Sequence, residues 1–241
     1  MKTEMHSHST GASVCSDVTD EQFVSDLVKN GIQAFVLTNH INGAFSTYPA
    51  KTYKEQIDYY LSRFDDINEI AKSKGIKAFL GAEIVALTDD GVHQEFVLLG
   101  FDREFLYNNN LVNRYNQKEL YELANKHGFF MYQTHPFRNG EKTGDPRYMH
   151  GAEAFNGHYH HDNNNEKAIE FCKTNNLKQI VGTDYHHHAQ PIVGWTEIPD
   201  YIQNEQQLAK YLLENQPYYE FDQQKCLQAR ADYIEYERRK G

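Results

Sequence analysis

The segment TDEQFVSDLVKNGIQAFVLTNH, residues 19–40, decides the fold of this chain. Thr19 and Gln22 have the spacing of a capping box, which predicts a helix that ends at Gly31. The apolar run Ala34–Thr38 that follows predicts a buried strand, and His40 comes just after it. A helix, a buried strand and a histidine at the strand end form a unit that the rest of the chain repeats.

Predicted strands and helices alternate along the whole sequence. Further strands are predicted at Thr3–His6, Lys77–Leu87, Glu95–Phe101, Phe129–Gln133, Ala152–Phe155 and Gln179–Thr183. Further helices are predicted after Thr52 and at Gln117–Lys126, Asn165–Thr174, Glu205–Glu214 and Cys226–Arg239. This alternation predicts an α/β fold with a largely parallel sheet, for which a barrel is the natural closed form. Residues 1–241 are interpreted as one domain, in which residues from about 200 to 241 form a helical extension that packs on the barrel.

The composition limits the kinds of partner. The formal net charge is -10, with 34 acidic and 24 basic residues, so the basic surface that long nucleic acid requires is not expected. A small phosphorylated substrate remains compatible, because bound metal ions can reverse the field in one cleft. The three cysteines form no C-x-x-C pair, and no apolar run is long enough for a membrane span. We expect a cytoplasmic protein that does not bind membranes, and the sequence is compatible with a homo-oligomer.

The thirteen histidines are concentrated where predicted strands end. In barrel enzymes the chemistry lies at the carboxyl ends of the strands, so side chains from different strand ends meet in one mouth. The candidates are His6, His8, His40, Glu83, His135, His158, Asp184 and His186. In His6-Ser7-His8 both imidazoles lie on one face of a strand, because side chains alternate. Together with Glu83 and His135, this pattern predicts a metal site.

The motifs resemble those of the polymerase and histidinol phosphatase (PHP) superfamily. Their order along the chain is Met5-His6-Ser7-His8-Ser9-Thr10 for H-x-H-S/T, Leu37-Thr38-Asn39-His40 for T-D-H, Gly81-Ala82-Glu83 for G-x-E, Thr134-His135-Pro136-Phe137 for H-P, Glu153-Ala154-Phe155-Asn156-Gly157 for E-x-x-N-G, and Gly182-Thr183-Asp184-Tyr185-His186 for G-S-D-x-H. The resemblance covers residues 1 to about 200. It implies a distorted, seven-stranded, TIM-like β/α barrel of the PHP type.

The resemblance also implies two to three divalent ions, zinc, manganese or iron. One ion would be held by His6, His8, Glu83 and Asp184. Glu83 would bridge to a second ion, which His135 also binds. The third ion would be held by His40 and His186.

Two further ligands are open at this stage. Asp17 is favoured as a ligand of the third ion, with Cys15 as the alternative. His93 is the nearest candidate for a second histidine on the second ion, and Glu95 lies on the same face of its strand. The sequence also departs from the family pattern, because Glu4 stands where an Asp is common and Asn39 replaces the Asp of T-D-H.

The implied reaction is hydrolysis of a small phosphate monoester, as in a histidinol phosphatase, by metal-bound hydroxide. Asp184, His186 and Glu83 are the expected catalytic residues. Arg138 is the best candidate to hold the phosphate, and Lys142 and His158 are further candidates for substrate binding. One alternative is a metal-dependent amidohydrolase, and another is a non-catalytic, metal-binding regulatory module.

Overall fold

The computed structural model describes residues 1–88, 91–112 and 114–240. Its strands are β1 (Lys2–Ser7), β2 (Ala34–Leu37), β3 (His40–Ile41), β4 (Lys77–Leu87), β5 (His93–Leu99), β6 (Phe130–Gln133), β7 (Gly151–Asn156), β8 (Lys178–Gly182), β9 (Gly194–Glu197) and β10 (Tyr219–Phe221). Its α-helices are α1 (Asp20–Lys29), α2 (Tyr53–Ser73), α3 (Arg103–Asn108), α4 (Gln117–His127), α5 (Asn165–Thr174), α6 (Glu205–Glu214) and α7 (Gln223–Lys240).

Two helices begin as the sequence predicts. The side chain of Thr19 caps α1 and that of Thr52 caps α2, and each forms a complete capping box with the residue three positions later. In the described part of the chain, no helix combines the length and apolar character needed to cross a bilayer.

The sheet is a nearly closed barrel, which confirms the α/β barrel prediction. Its strand order is β10-β9-β1-β2-β4-β5-β6-β7-β8, and β3 pairs with β4. The run from β1 to β8 contains seven strands, as predicted, but β3, β9 and β10 are additional. Strand β5 is antiparallel to both of its neighbours, so the sheet is less parallel than the sequence suggested. The pairing of β4 with β5 is antiparallel because the connection between these two strands is too short for a parallel crossover.

The barrel closes where β1 meets the segment that follows β8. Tyr185 donates its backbone N–H to the His6 carbonyl at 3.0 Å and accepts from the His8 N–H at 2.9 Å. Gly182 is required at this contact, because a Cβ at that position would lie 2.9 Å from the Cβ of His6. The buried Glu4 carboxylate accepts the backbone N–H of His6 at 2.9 Å and that of Thr183 at 2.8 Å. The closure therefore brings the H-x-H and D-x-H segments side by side.

Alternate residues of the strands pack into two apolar layers. Val36, Phe79 and Val97 belong to a core that includes Leu208 and Leu212 of α6. The side chains on the other face of the strands pack against α1, α2, α4 and α5. Helix α6 packs near the amino end of β4, where Lys77 Nζ donates to the Ile202 carbonyl at 2.6 Å. The opposite end of the barrel, the mouth, remains available for polar side chains.

Tyr60 of α2 connects the two strand ends that carry His40 and Glu83. It is 1% exposed, and its hydroxyl lies 2.7 Å from the Gly81 carbonyl and 3.0 Å from the Asn39 carbonyl. We predict that Tyr60→Phe lowers the free energy of unfolding by about 1–3 kcal/mol, because the buried Gly81 carbonyl loses its hydroxyl donor. Urea unfolding measures this. Tyr107→Phe, at an exposed tyrosine, is the matched control, and equal losses in both variants would contradict the prediction.

Candidate metal centre

The mouth of the barrel collects metal-binding side chains from six strand ends and one loop. We call this set the mouth cluster; its members are His6, His8, Cys15, His40, Glu83, Glu95, His135, Asp184 and His186. Six of the nine are buried, His40 and Glu95 are half-buried, and Cys15 is exposed; Glu83 lies at the centre with 2% of its surface exposed.

The first group of donor atoms surrounds one side of Glu83. His6 Nε2 lies 3.3 Å from Glu83 Oε1, and His8 Nε2 lies 3.5 Å from Oε2. Asp184 Oδ1 is 3.3 Å from both imidazole nitrogens. Atoms about 2.0–2.1 Å from a tetrahedral ion are separated by about 3.3 Å. The spacing of these four side chains therefore fits one divalent ion.

A second group lies on the other side of the same carboxylate. His135 Nε2 is 3.4 Å from Glu83 Oε1 and 3.5 Å from Glu95 Oε2. His40 Nδ1 is 3.0 Å from Glu83 Oε2 and 3.8 Å from Glu95 Oε1. Glu83 is thus positioned to bridge two ions, and Glu95 would supply a second carboxylate to the second one.

A third group contains a thiol. Cys15 Sγ lies 3.1 Å from His186 Nε2 and 3.4 Å from His40 Nε2. Burial raises the pKa of the Cys15 thiol, but the hydrogen bonds with His186 and His40 outweigh it, and the pKa falls to about 6. A thiolate is the form that binds metals. One sulfur and two imidazole nitrogens suit zinc or iron better than magnesium or calcium.

Hydrogen bonds behind the cluster fix the orientation of three imidazoles. His6 Nδ1 lies 2.9 Å from Glu153 Oε1, His8 Nδ1 lies 3.0 Å from Ser13 Oγ, and His186 Nδ1 lies 2.9 Å from the Asp184 carbonyl. Each Nδ1 faces a hydrogen-bond acceptor, so each ring can direct an unprotonated Nε2 into the cluster. This is the usual arrangement of metal-binding histidines.

Two further observations support a metal at this place. His40 Nδ1 is buried, and it makes no hydrogen bond to any residue that the structure describes, although Glu83 Oε2 is close. His135 and Asp184 have positive φ angles of 29° and 51°, which are strained for residues other than glycine. An ion bound between His40 Nδ1 and Glu83 Oε2 would give this nitrogen a partner. Together with the spacing of the three donor groups, this shows that the residues fit divalent metal ions.

The electrostatics keep two of the carboxylates ionised. Burial disfavours their charged forms, but His6 and His40 hold the pKa of Glu83 well below its usual value. In the same way His6 and Arg138 hold the pKa of Asp184 below its usual value. Burial and the charge of Glu83 raise the pKa of Glu95. A bound cation would remove the repulsion between Glu83 and Glu95.

The structure places the candidates for the two open ligand positions differently from the sequence preference. Asp17 is largely exposed and contacts His187 at 3.0 Å, whereas Cys15 lies in the mouth cluster. The loop after β1 turns so that Cys15, not Asp17, faces inward. His93 is exposed at the first residue of β5, and Glu95, one pleat further along the same face, occupies the cluster.

Of the three expected substrate-binding residues, Arg138 and His158 line the cleft at the mouth, and Lys142 does not. Arg138 contacts Asp184 through Nη2 and Asn163 Oδ1 through Nε at 3.1 Å, so its guanidinium lies at the mouth. His158 is 4% exposed beside it, and burial holds the pKa of its ring well below the usual value, so the ring is neutral. Lys142 is exposed and does not line the cleft of the mouth cluster.

Sequence reasoning assigned no role to Glu153, although its motif was recognised. Its Oε1 contacts His6, and its Oε2 accepts the His135 N–H at 2.7 Å and an amide N–H of Asn156 at 2.8 Å. The E-x-x-N-G pattern was therefore the signal for a residue that orients ligands. Asn39 accepts from Ser9 N and from Ser13 Oγ, each at 2.9 Å, so it supports the serine behind His8.

Comparisons with known proteins support the same fold. No family model and no curated protein matches this sequence. The structure is similar to a two-domain protein from Bacteroides vulgatus that contains a predicted PHP-like metal-dependent phosphoesterase, with a TM-score of 0.63 and 21% identity over 96% of this chain and 69% of that chain. The chain has the PHP fold. The comparison of structures thereby confirms the fold that the motifs implied.

Two other solved structures are similar in fold to this chain. PsfC from Pseudomonas syringae has a TM-score of 0.67 and 17% identity, and the match covers 98% of both chains. Endonuclease Q, solved with a 27-mer duplex that carries an abasic lesion at the active site, has a TM-score of 0.54 and 12% identity over 88% of this chain and 56% of that chain.

Glu153 offers a test of how the imidazoles are oriented. We predict that Glu153→Gln lowers the affinity for the most tightly bound ion by about 10–100-fold, because His6 loses its charged acceptor. Competition with a chromophoric chelator measures the affinity. Glu170→Gln, at an exposed glutamate of α5, serves as the control. An unchanged affinity in Glu153→Gln would show that this carboxylate does not orient the ligand.

Cys15 offers a test of the third group. We predict that cobalt-substituted protein has a thiolate-to-cobalt charge-transfer band, and that Cys15→Ser abolishes it and weakens one ion by about 10-fold or more. Absorption spectroscopy during cobalt titration measures both effects. Cys226→Ser, far from the mouth cluster, should keep the band. If the band persisted in Cys15→Ser, the thiol would not be a ligand.

Proposed function

We propose that this chain is a metal-dependent phosphoesterase that hydrolyses a small phosphate monoester. The observation that carries the proposal is the position of Glu83, whose two oxygens each face imidazoles of two different donor groups at 3.0–3.5 Å. Such a bridging carboxylate is typical of sites with two ions, which clamp the oxygens of a phosphate ester.

The donor groups support two to three ions. The first ion would be held by His6, His8, Glu83 and Asp184, the second by Glu83, Glu95 and His135, and the third by Cys15 and His186. His40 would add one nitrogen, either Nδ1 to the second ion or Nε2 to the third, because a neutral imidazole has a single unprotonated nitrogen. When bound, such ions lower the pKa of water and stabilise charge on the phosphoryl oxygens. Zinc, manganese and iron suit these nitrogen, oxygen and sulfur donors.

Arg138 is proposed to hold the phosphate. Asp184 and Asn163 fix its guanidinium, and Nη1 has no hydrogen-bond partner among the residues that the structure describes. A fixed guanidinium with a donor directed to the cleft recognises phosphate oxygens well. His158 lies in the same cleft, where a neutral ring can donate to the substrate without adding charge.

The size of the cleft favours a small substrate. The cavity over the mouth cluster has a volume of ≈ 270 Å³, and its walls are Cys15, His40, Arg138, His158 and other residues of the same rim. This space accommodates a phosphate and a modest alcohol group. Because α6 packs against the barrel strands, we further propose that residues 1–241 act as one catalytic unit.

Nucleic acid is the second candidate substrate, since Endonuclease Q has this fold and was solved with duplex DNA. The negative net charge of the sequence argued against long nucleic acid as a partner, and this similarity makes that expectation doubtful. A metal-dependent amidohydrolase is less well supported, because such enzymes often bridge their ions through a modified lysine, and here a glutamate, Glu83, lies between the donor groups.

The test combines metal content with three substrates. Protein purified without chelator should contain two to three ions by elemental mass spectrometry, and it should hydrolyse p-nitrophenyl phosphate. We expect slower hydrolysis of bis-p-nitrophenyl phosphate and no cleavage of duplex DNA with an abasic site. Glu83→Gln should lose the bridged ions and reduce kcat/KM by about 100-fold or more, whereas Glu170→Gln should match the wild type.

Either of two results would overturn the proposal. Protein that binds no ion, and that remains inactive after zinc or manganese is added, would not be an enzyme of this kind. Efficient cleavage of the duplex with little monoester hydrolysis would instead identify a nuclease.

A further inference from the structure

Three histidines outside the mouth cluster form a second concentration of imidazoles. We call His158, His160 and His187 the rim triad. Each of them offers a ring nitrogen, and these atoms lie within 4.8 Å of one another. The ring centroids of His160 and His187 are 4.6 Å apart, and those of His158 and His160 are 5.0 Å apart, the same separation as between His6 and His8.

The orientation of these rings suits a cation. His187 Nδ1 lies 3.0 Å from Asp17 Oδ1, so this carboxylate can orient the ring and leave Nε2 available. His158 Nδ1 accepts the His160 backbone N–H over 3.2 Å, at the long end for such a bond. A cation bound at that nitrogen displaces only this one weak contact.

Helix α7 holds the ring of His160, the remaining member of the rim triad. The Tyr233 ring stacks on the His160 ring with centroids 3.9 Å apart and planes at 18°. Tyr159 in turn contacts Tyr233 edge to face at 5.6 Å. The ring of His160 is thus held between α7 and His187, although it lies near the surface. Preorganised rings lose less conformational entropy on binding an ion.

The surroundings of the triad are accessible and acidic. His160 and His187 line a groove of ≈ 570 Å³ between the barrel rim and α7. Asp17, Asp232 and Glu237 also line this groove, against one lysine, Lys240. Excess negative charge attracts cations, and open solvent leaves room for water to complete the coordination.

We propose that the rim triad is a separate binding site for a divalent transition-metal ion that prefers imidazole, such as Zn²⁺, Ni²⁺ or Cu²⁺. The ion exchanges with solvent through the groove and binds more weakly than the ions of the mouth cluster. His160 and His187 also line the cleft over the mouth cluster, so the ion adds positive charge where an anionic substrate enters. That last consequence rests on the proposed phosphoesterase function, whereas the binding itself does not.

The experiment titrates Zn²⁺ into the full chain whose tight sites are already filled, with isothermal calorimetry as the readout. The wild type should bind one further, weaker ion. His160→Gln and His187→Gln should lose this ion and keep the tight ones. Asp17→Asn, at a side chain that is 73% exposed, should fold normally and weaken the further ion by about 10–100-fold.

Two neighbouring histidines are the matched controls. The ring centroid of His161 lies 4.9 Å from that of His158, and His188 contacts Asp26 at 3.1 Å. Neither is among the three histidines whose ring nitrogens lie within 4.8 Å of one another. His161→Gln and His188→Gln should bind the further ion as the wild type does. Equal binding in the wild type and in the two triad variants, or no further ion in the wild type, would overturn the inference. Because calorimetry reports binding alone, an inactive enzyme would leave this result interpretable.

Discussion

The structure depends on one buried carboxylate. Glu83 lies at the centre of the barrel mouth with 2% of its surface exposed, and the charges of the surrounding imidazoles hold its pKa low. A buried anion is costly unless cationic groups or a metal ion compensate it. Each strand that ends near Glu83 must therefore supply a group that carries or binds positive charge. This requirement explains why the histidines of the chain are concentrated at the strand ends.

Closure of the barrel and construction of the site are the same event. The Asp184–His186 segment reaches His6 and His8 only because the backbone of Tyr185 pairs with that of β1. Glu4 stabilises this contact, because its side chain accepts the backbone N–H groups of His6 in β1 and of Thr183 after β8. Ions bound between β1 and this segment would stabilise the closure, because they bind the folded chain and not the unfolded one.

The sequence predicted the elements and the side chains of short motifs that meet at the barrel mouth. Regular side-chain alternation places His6 and His8 on one face without knowledge of the rest of the fold. It did not predict that Cys15 enters the cluster in place of Asp17, because the path of an irregular loop is not encoded in a local period. His93 and Glu95 share a face of β5, and the choice between them depends on how far the antiparallel strand extends into the mouth. Tertiary register decides such cases.

The negative net charge and an anionic substrate are compatible because the two act over different distances. Exposed charges are screened within about 8 Å at physiological ionic strength, whereas a phosphate in the cleft lies against the mouth cluster and Arg138. Two or three divalent ions there would outweigh Glu83, Glu95 and Asp184, so the local field becomes positive only when the centre is filled. A small ester meets mainly this local field, while a long polyanion also meets the acidic surface. If the proposed function holds, the same surface charge would favour short substrates once the metal ions are bound.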